Sequence, residues 1–255
     1  MIGIISDVHG NYAALTAVLG ALDRMRVSEI ICLGDTAGYY CQINECCDTL
    51  RARGIFSLQG NHDWYLSSGE GCPRSSSANR CLTYQREAIT EENLAWLATL
   101  KPRAHLHGID MVHGGWNDPL DEYFSPEPGY FAQIPGTHFA SGHTHVQLLW
   151  SQDDKTYCNP GAVGQPRDGN PDAGFAVWDA GQFKLFRVPY DVHATQRAMH
   201  DAGFEPYYYE NLAIGARIGG KIDTYPGLAP TTFETITGDA NEASSSGGVI
   251  DRDKQ

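Results

Sequence analysis

Five short polar motifs, each at the end of a predicted strand, constrain the fold of this chain more than any other sequence feature. In chain order they are Asp7-Val8-His9, Gly34-Asp35, Gly60-Asn61-His62-Asp63, His113-Gly114-Gly115 and Gly142-His143-Thr144-His145. Ligands of open α/β sheets bind at the carboxyl ends of the strands. If the chain folds into such sheets, the five motifs can therefore meet at one edge, although they are distant in the sequence.

The amino-terminal part of the chain alternates between apolar strands and amphipathic helices. Apolar runs at 2–5, 30–33 and 55–58 predict buried strands. Apolar residues at helical spacing predict helices at 12–25 and 43–53. Strands that alternate with helices imply parallel pairing with right-handed crossovers.

The rest of the chain has a different pattern. We expect an irregular loop at 66–80, a helix at 86–100 and a closing helix at 191–202. Between the last two helices, short strands separated by turns predict a second, largely antiparallel sheet. Its expected strands are 103–107, 109–113, 137–141, 146–151, 155–159, 174–179 and 182–188. Few large apolar residues follow, so the sequence predicts one domain at 1–224 and a disordered tail at 225–255.

Charge and composition exclude several classes of function. The 255 residues carry a net charge of −13, which argues against a stable nucleic-acid complex or an anionic membrane surface as a partner. We expect no signal peptide, and no apolar run reaches the roughly 20 residues that a membrane span needs. Seven cysteines without a paired spacing suit reduced thiols. We therefore expect a cytoplasmic protein, while its oligomeric state stays open.

The donor atoms of the five motifs suit a metal site. Carboxylate, amide and imidazole groups together favour borderline divalent metals such as Mn, Fe, Zn, Co or Ni. An Asp-x-His segment places both side chains on one face of extended backbone, so one metal can take both. Each motif alone also fits a turn, a helix cap or a hydrogen-bonded strand-end histidine. Unrelated turns give no reason, however, for five such motifs at strand ends.

The ordered set resembles the calcineurin-like metallophosphoesterase superfamily over about residues 1–190. Further segments are similar to its small prokaryotic phosphodiesterase-like branch: 4–11, 118–123 and 159–167. The resemblance implies a four-layer αββα sandwich of two mixed sheets with a dinuclear metal centre. The serine/threonine phosphatase branch fits less well, because Thr36-Ala37-Gly38-Tyr39 follows Gly34-Asp35.

The resemblance also implies a role for each residue of the motifs. A first metal would be held by Asp7, His9, Asp35 and His145. Asp35 would bridge to a second metal, completed by Asn61, His113 and His143. His62 matches the histidine that donates a proton in the family, and Asp35 and Asn61 are expected to take part in catalysis with it. Manganese is the expected metal, with Fe, Zn, Ni, Co or Mg as alternatives.

These assignments give a mechanistic hypothesis for a small phosphate-ester substrate. A hydroxide bridging two divalent metals attacks the phosphorus of a phosphodiester, and His62 protonates the leaving group. Arg167 is a candidate substrate contact, since a guanidinium matches phosphate geometry, but a solvated turn residue fits equally well. The alternatives are a phosphomonoesterase or protein phosphatase and a non-catalytic scaffold on the same fold.

Overall fold

Eleven strands form two sheets in the computed structural model, which describes residues 1–228 and 231–237. In chain order the strands are β1 Ile2–Ile5, β2 Glu29–Cys32, β3 Phe56–Ser57, β4 Arg103–Leu106, β5 Ile109–Val112, β6 His138–Ala140, β7 Gln147–Gln152, β8 Lys155–Pro160, β9 Ala173–Asp179, β10 Gln182–Val188 and β11 Glu234–Thr235. The helices are α1 Tyr12–Arg24, α2 Ile43–Ala52, α3 Asn61–Ser68, α4 Ser76–Ala88, α5 Glu91–Thr99, α6 Pro128–Phe131 and α7 Val192–Asp201. Two 3₁₀ turns, Pro206–Tyr208 and Glu210–Ile214, follow α7.

The first sheet has the strand order β11-β10-β9-β1-β2-β3. β1, β2 and β3 pair in parallel, as the alternation of strands and helices predicts. On its other side β1 pairs antiparallel with β9, where Ile2 lies opposite Trp178. Asp7 and Asp35 follow the neighbouring strands β1 and β2, so the parallel pairing places both carboxylates at one sheet edge.

The second sheet has the strand order β4-β5-β6-β8-β7 and is mixed. The outer pairs β4–β5 and β7–β8 are antiparallel, whereas β6 pairs in parallel with both β5 and β8. The prediction of one largely antiparallel sheet from 103 to 188 is therefore wrong in part. β9 and β10 complete the first sheet, because β1 would otherwise expose its backbone hydrogen-bonding groups on one side.

The two sheets pack face to face through a buried apolar layer. Ile4 and Ile31 of the first sheet share this layer with Met111, Ala140 and Cys158 of the second. Alternate residues of each strand face opposite sides, and helix α1 covers the outer face of the first sheet. The predicted sandwich of two mixed sheets flanked by helices is confirmed.

A one-turn helix and loop residues cover the outer face of the second sheet. Val112, Phe139 and Tyr157 point to this side and pack against Phe131 of the one-turn helix α6. Trp116 is buried in the same aromatic cluster. The layer that covers this face, the fourth of the sandwich, therefore consists mostly of loop residues with aromatic side chains rather than of a long helix.

The predicted loop at 66–80 and helix at 86–100 differ from the structure. α3 extends to Ser68, and Ser75 caps α4 by accepting a hydrogen bond from the backbone N–H of Ala78. Thr90 caps α5 in the same way, so the chain turns between Ala88 and Glu91. Hydroxyl side chains at these positions favour helix starts, which the loop-like composition of this segment concealed.

The first part of the segment predicted as a tail packs against the domain. Tyr225 is buried beside the second sheet, and β11 pairs with β10 through Glu234 and Thr235. The segments 229–230 and 238–255 of the predicted tail lie outside the described residues. Within the part that the structure describes, no helix is long and apolar enough to cross a membrane.

Candidate metal centre

The seven predicted ligands lie together at the shared edge of the two sheets. Each exposes 3% or less of its surface: Asp7, His9, Asp35, Asn61, His113, His143 and His145. Two groups have donor atoms within 4.8 Å of one another, one formed by Asp7, His9 and His145 and the other by Asp35, His113 and His143. The ligand sets that the family resemblance implies contain these two groups, with Asp35 added to the first and Asn61 to the second.

The two groups adjoin through His9 and Asp35. Nε2 of His9 lies 3.7 Å from Oδ1 of Asp7 and 3.7 Å from Oδ2 of Asp35. On the far side, Oδ2 of Asp35 lies 3.2 Å from Nε2 of His113, whose other neighbour is Oδ1 of Asn61 at 3.1 Å. Asp35 thus faces both groups, as a bridging ligand must.

Backbone carbonyls fix the orientation of three imidazole rings. Nδ1 of His9 lies 2.7 Å from the carbonyl oxygen of Ala37, and Nδ1 of His145 lies 2.7 Å from that of Gln165. Nδ1 of His113 makes the same contact with a carbonyl oxygen at 3.0 Å. Such a bond holds the proton on Nδ1 and leaves Nε2 as an electron-pair donor toward the centre, the arrangement typical of metal-binding histidines.

Three buried polar atoms in the centre have no hydrogen-bond partner within the described residues: Oδ1 of Asp7, Oδ2 of Asp35 and Nε2 of His143. A buried polar group without a partner costs about 1–3 kcal/mol, and more when it is charged. All three atoms face the clusters described above. The donor set of carboxylates and imidazoles therefore fits divalent cations, which would satisfy these atoms.

Five of the ligands have a left-handed backbone. The φ angles are 56° at Asp7, 52° at His9, 56° at Asp35, 66° at His143 and 63° at His145. A non-glycine residue in this region costs on the order of 1–3 kcal/mol and persists only where the surrounding structure enforces it. The strain therefore falls on the residues that form the centre.

Gly60 and Gly142 are required because neighbouring side chains occupy the space that a Cβ atom would need at each position. A Cβ on Gly60 would lie 2.1 Å from Oδ1 of Asp35, and one on Gly142 would lie 1.9 Å from Oγ of Ser6. Neither approach leaves room for a side chain, so the glycines of the third and fifth motifs have a steric role.

Burial and mutual charge set the protonation of the centre. Burial raises the pKa of Asp35, but the neighbouring histidines His113, His62 and His9 together outweigh burial and hold it below its usual range. Burial also lowers the pKa of His113, yet Asp35 raises it to about 9. Burial, and then the charge of Arg167, lower the pKa of His145 to about 3. His145 is therefore neutral at pH 7, and a cation would displace the proton of His113.

His62 lies beside the centre in the first turn of α3. Its ring is 5.1 Å from that of His9 and 5.0 Å from that of Tyr39, measured between centroids. Nδ1 of His62 is buried without a hydrogen-bond partner among the described residues. Burial lowers the pKa of this imidazole to about 3. The ring borders the cleft beside the centre, as a proton donor to substrate would.

The Asp63 carboxylate accepts hydrogen bonds from the loop after β2 rather than from the imidazole of His62. Its carboxylate accepts backbone N–H bonds from Asp35 and Ala37 at 2.8 Å and from Gly60 at 2.9 Å. Asp63 therefore connects the second motif to the third.

Arg167 lines a cleft of 420 Å³ beside the centre and is only 3% exposed, so it is not a solvated turn residue. Its guanidinium lies 5.3 Å from the ring centroid of Tyr39, and its Nε and Nη2 donate to Oε1 of Gln165 at 2.9 and 2.6 Å. Within the described residues no carboxylate forms an ion pair with it. A buried, oriented cation beside two metal-binding groups is suited to an anionic ligand.

Comparisons with known proteins identify the family. The family model for the calcineurin-like phosphoesterase superfamily domain matches residues 1–182. The chain belongs to this superfamily. The uncharacterized protein MJ0912 of Methanocaldococcus jannaschii is 31% identical over 238 residues, which cover 84% of this chain and 98% of that protein.

Two solved structures show the same fold as this superfamily member. The crystal structure of a metallophosphoesterase from Sphaerobacter thermophilus has 33% identity and a TM-score of 0.74, covering 84% of this chain and 98% of that one. The hypothetical protein PH1004 from Pyrococcus horikoshii has a TM-score of 0.76 at 18% identity, covering 85% of this chain and all of the other, 100%. The latter likeness concerns the fold alone.

Sequence reasoning missed three residues near the centre. Gln165 links His145, Arg167 and Tyr40, through its carbonyl, Oε1 and Nε2 respectively. Arg74 and Arg217 line the same cleft as Arg167. Nothing local distinguishes these two arginines from solvated ones, because only the tertiary fold brings them to the cleft.

Proposed function

We propose that this superfamily member is a metal-dependent phosphoesterase that hydrolyses phosphodiesters. The observation that carries the proposal is the pair of buried donor groups, which adjoin through His9 and Asp35 and open beside His62 and Arg167. The likeness to the Sphaerobacter thermophilus metallophosphoesterase supports the same class of chemistry.

The ligand assignment follows the two groups. Asp7, His9, Asp35 and His145 would hold one divalent ion, and Asp35, Asn61, His113 and His143 a second, with manganese the preferred metal. Such ions supply Lewis acidity, which activates water and neutralises charge on the phosphate. The backbone bonds to the imidazole rings keep the donor atoms in place before any ligand binds, so little reorganisation accompanies binding.

His62 and Arg167 act on the substrate in this proposal. Arg167 donates to a non-bridging oxygen of the phosphate and is held for this by Gln165 and by the ring of Tyr39. His62 gives its proton to the leaving alkoxide. Burial lowers the pKa of the free His62 ring, and the negative charge of a bound phosphate raises it, so substrate favours the protonated form.

The volume of the cleft and the net charge of the protein favour a small substrate. A cleft of 420 Å³ is within the usual range for small-molecule sites. The net charge of −13 opposes the approach of a long polyanion. We therefore propose a small phosphate ester rather than nucleic acid as the substrate.

A paired assay after metal reconstitution tests the proposal. The protein is stripped with a chelator, reloaded with Mn, Fe, Zn, Ni, Co or Mg, and assayed on bis-p-nitrophenyl phosphate and p-nitrophenyl phosphate. We expect metal-dependent turnover with the diester preferred. Turnover of the monoester alone would favour a phosphomonoesterase or protein phosphatase. Bound metal without turnover of either ester would favour a scaffold.

A further inference from the structure

The cleft beside the metal centre is cationic in an acidic protein. The chain has 31 acidic and 18 basic residues. Three of its arginines nevertheless line this one cleft: Arg74, Arg167 and Arg217. No aspartate or glutamate is among the described residues that line it. A single phosphodiester offers two non-bridging oxygens, so three guanidinium groups supply more hydrogen-bond donors than the reacting phosphate alone requires.

Arg74 and Arg217 each pair with a carboxylate that is not among the lining residues of this cleft. Arg74 pairs with Asp121 and lies 5.4 Å from the ring centroid of Tyr123. Arg217 uses Nε to pair with Asp223. In the part of the chain that the structure describes, neither terminal nitrogen of Arg217 has a hydrogen-bond partner. A guanidinium fixed through Nε presents its terminal nitrogens in the geometry that suits a phosphate.

A second cleft of 330 Å³ continues from the first. The two clefts share Tyr123 and Arg217 as lining residues. Lys221, Asp223 and the aromatic ring of Phe124 line the second cleft, with Thr144 of the fifth motif. Tyr123 stands between the clefts, with its ring centroid 4.0 Å from that of His143. One ligand can therefore extend from the metal centre past Arg217.

We propose that the substrate carries a second phosphate group in addition to the one that is hydrolysed, and that Arg217 binds this second phosphate together with Arg74, which lines the same cleft. The inference rests on the proposed phosphoesterase function and narrows its substrate class to esters with at least two phosphates. Asp223 and Asp121 keep the two guanidinium groups oriented before the ligand binds, so less entropy is lost on binding.

A matched pair of chromogenic diesters tests this inference. Thymidine 5′-(p-nitrophenyl phosphate) and its 3′-phosphorylated derivative differ only in the second phosphate. With the manganese-loaded full chain, we expect kcat/KM to be about tenfold higher for the 3′-phosphorylated ester, since a charged hydrogen bond contributes about 1.5 kcal/mol or more. Calorimetric titration should show the same preference for thymidine 3′,5′-bisphosphate over thymidine 5′-phosphate.

Three variants distinguish phosphate binding by the Arg217 guanidinium from a structural role of the Arg217–Asp223 pair. Arg217→Met should lose the preference in both measurements. Asp223→Asn removes the negative charge but keeps an oxygen that can accept from Nε of Arg217 and orient it, so the preference should persist or grow. Arg80→Met is the control, because Arg80 lies over Phe204, outside both clefts, and should leave the preference unchanged. Equal loss in Arg217→Met and Asp223→Asn would indicate a structural role for the pair and overturn the inference.

The outcomes also separate this inference from the proposed function. Hydrolysis of both esters with equal kcat/KM, and equal affinity for the two nucleotides, would reject the second-phosphate site while leaving the phosphoesterase function intact. Absence of hydrolysis of either ester by protein with two bound metals would reject the proposed function and this inference with it.

Discussion

The backbone N–H of His62 donates a 2.8 Å hydrogen bond to Oδ1 of Asp35, while Oδ2 of the same carboxylate lies 3.2 Å from Nε2 of His113. One oxygen of Asp35 is thus anchored by the first turn of α3, and the other faces the metal-binding groups. The proposed bridging ligand and the proposed proton donor are therefore coupled through the backbone, and movement of α3 would move both.

Replacing Asp35 by asparagine should remove the bridge between the two groups. Loss of an outer partner of a metal ligand already costs about 10–100-fold in affinity or activity, so loss of the shared ligand should cost at least as much. We expect Asp35→Asn to bind one metal or none and to lose hydrolysis. Elemental analysis and turnover of bis-p-nitrophenyl phosphate measure this, with exposed Asp201→Asn as the control. Full metal content with retained activity would reject the bridging role.

Replacing His62 by alanine should spare the metal but slow the chemistry. Its side chain is not a member of either donor group. A general acid contributes about 10²–10⁴-fold, and the contribution grows as the leaving group becomes more basic. We expect His62→Ala to keep both metals and to lose most activity on alkyl esters, with a smaller loss on p-nitrophenyl esters. An unchanged rate on an unactivated diester would exclude His62 from proton transfer.

Gly60→Ala should disturb the centre although glycine contributes no ligand. The new Cβ would lie 2.1 Å from Oδ1 of Asp35 and 2.4 Å from its backbone nitrogen. Either Asp35 or the start of α3 must shift, so we expect lower metal affinity and a lower melting temperature. Gly20→Ala in α1 is the matched control, since its Cβ would meet only Arg24 at 3.6 Å and alanine favours a helix by about 1 kcal/mol. Normal metal binding by Gly60→Ala would show that this close approach is not required.

Local sequence patterns predicted most elements but not how they pair. Apolar runs such as Ile2–Ile5 and turns such as the one between β9 and β10 specify strands because both signals are local. The pairing of β9 with β1 joins residues more than a hundred positions apart, and no short-range pattern encodes it. The break between α4 and α5 had a local signal in Thr90 followed by Glu91 and Glu92, but the apolar periodicity across the break concealed it.

The candidate site likewise has residues that could be predicted from the sequence and residues that could not. The convergence of the seven ligands could be predicted because each follows a strand, and parallel strands bring their carboxyl ends to one edge. Arg167 could be suggested only as a candidate, since its burial over Tyr39 depends on the tertiary fold. Arg74 and Arg217 come from irregular segments, whose positions no periodic pattern specifies.

Arg167→Met should weaken substrate binding without removing metal. The guanidinium contacts the ring of Tyr39 and the side chain of Gln165, while its own residue is in neither donor group. Since a hydrogen bond to a charged group contributes about 1.5–3 kcal/mol, we expect kcat/KM to fall by roughly ten- to a hundredfold with metal content retained. Arg167→Lys should restore little, because an ammonium cannot donate as a planar fork. Wild-type kcat/KM in Arg167→Met would rule out the substrate contact.

Glu122→Gln should lower stability in a pH-dependent way. The Glu122 carboxylate holds the loop that carries Tyr123, accepting hydrogen bonds from Asn117, from the backbone N–H of Asp118 and from Tyr130. Burial raises the pKa of Glu122, but the hydrogen bonds from Asn117 and Tyr130 outweigh it and lower the pKa below 4.5. The charged carboxylate therefore stabilises the fold above pH 4.5, and this contribution is lost as pH falls through the lower folded-state pKa.

The pH dependence of the free energy of unfolding distinguishes the loss of the Glu122 charge from a steric effect of the substitution. We expect the free energy of unfolding of Glu122→Gln to be about 1 kcal/mol below wild type at pH 7, and the difference to shrink as the pH falls below 4.5. Urea unfolding of both proteins at a series of pH values measures it, because carboxylates common to the two proteins cancel in the difference. A gap that stays constant down to pH 3 would show that the glutamine disturbs the loop sterically and that the ionised carboxylate contributes nothing.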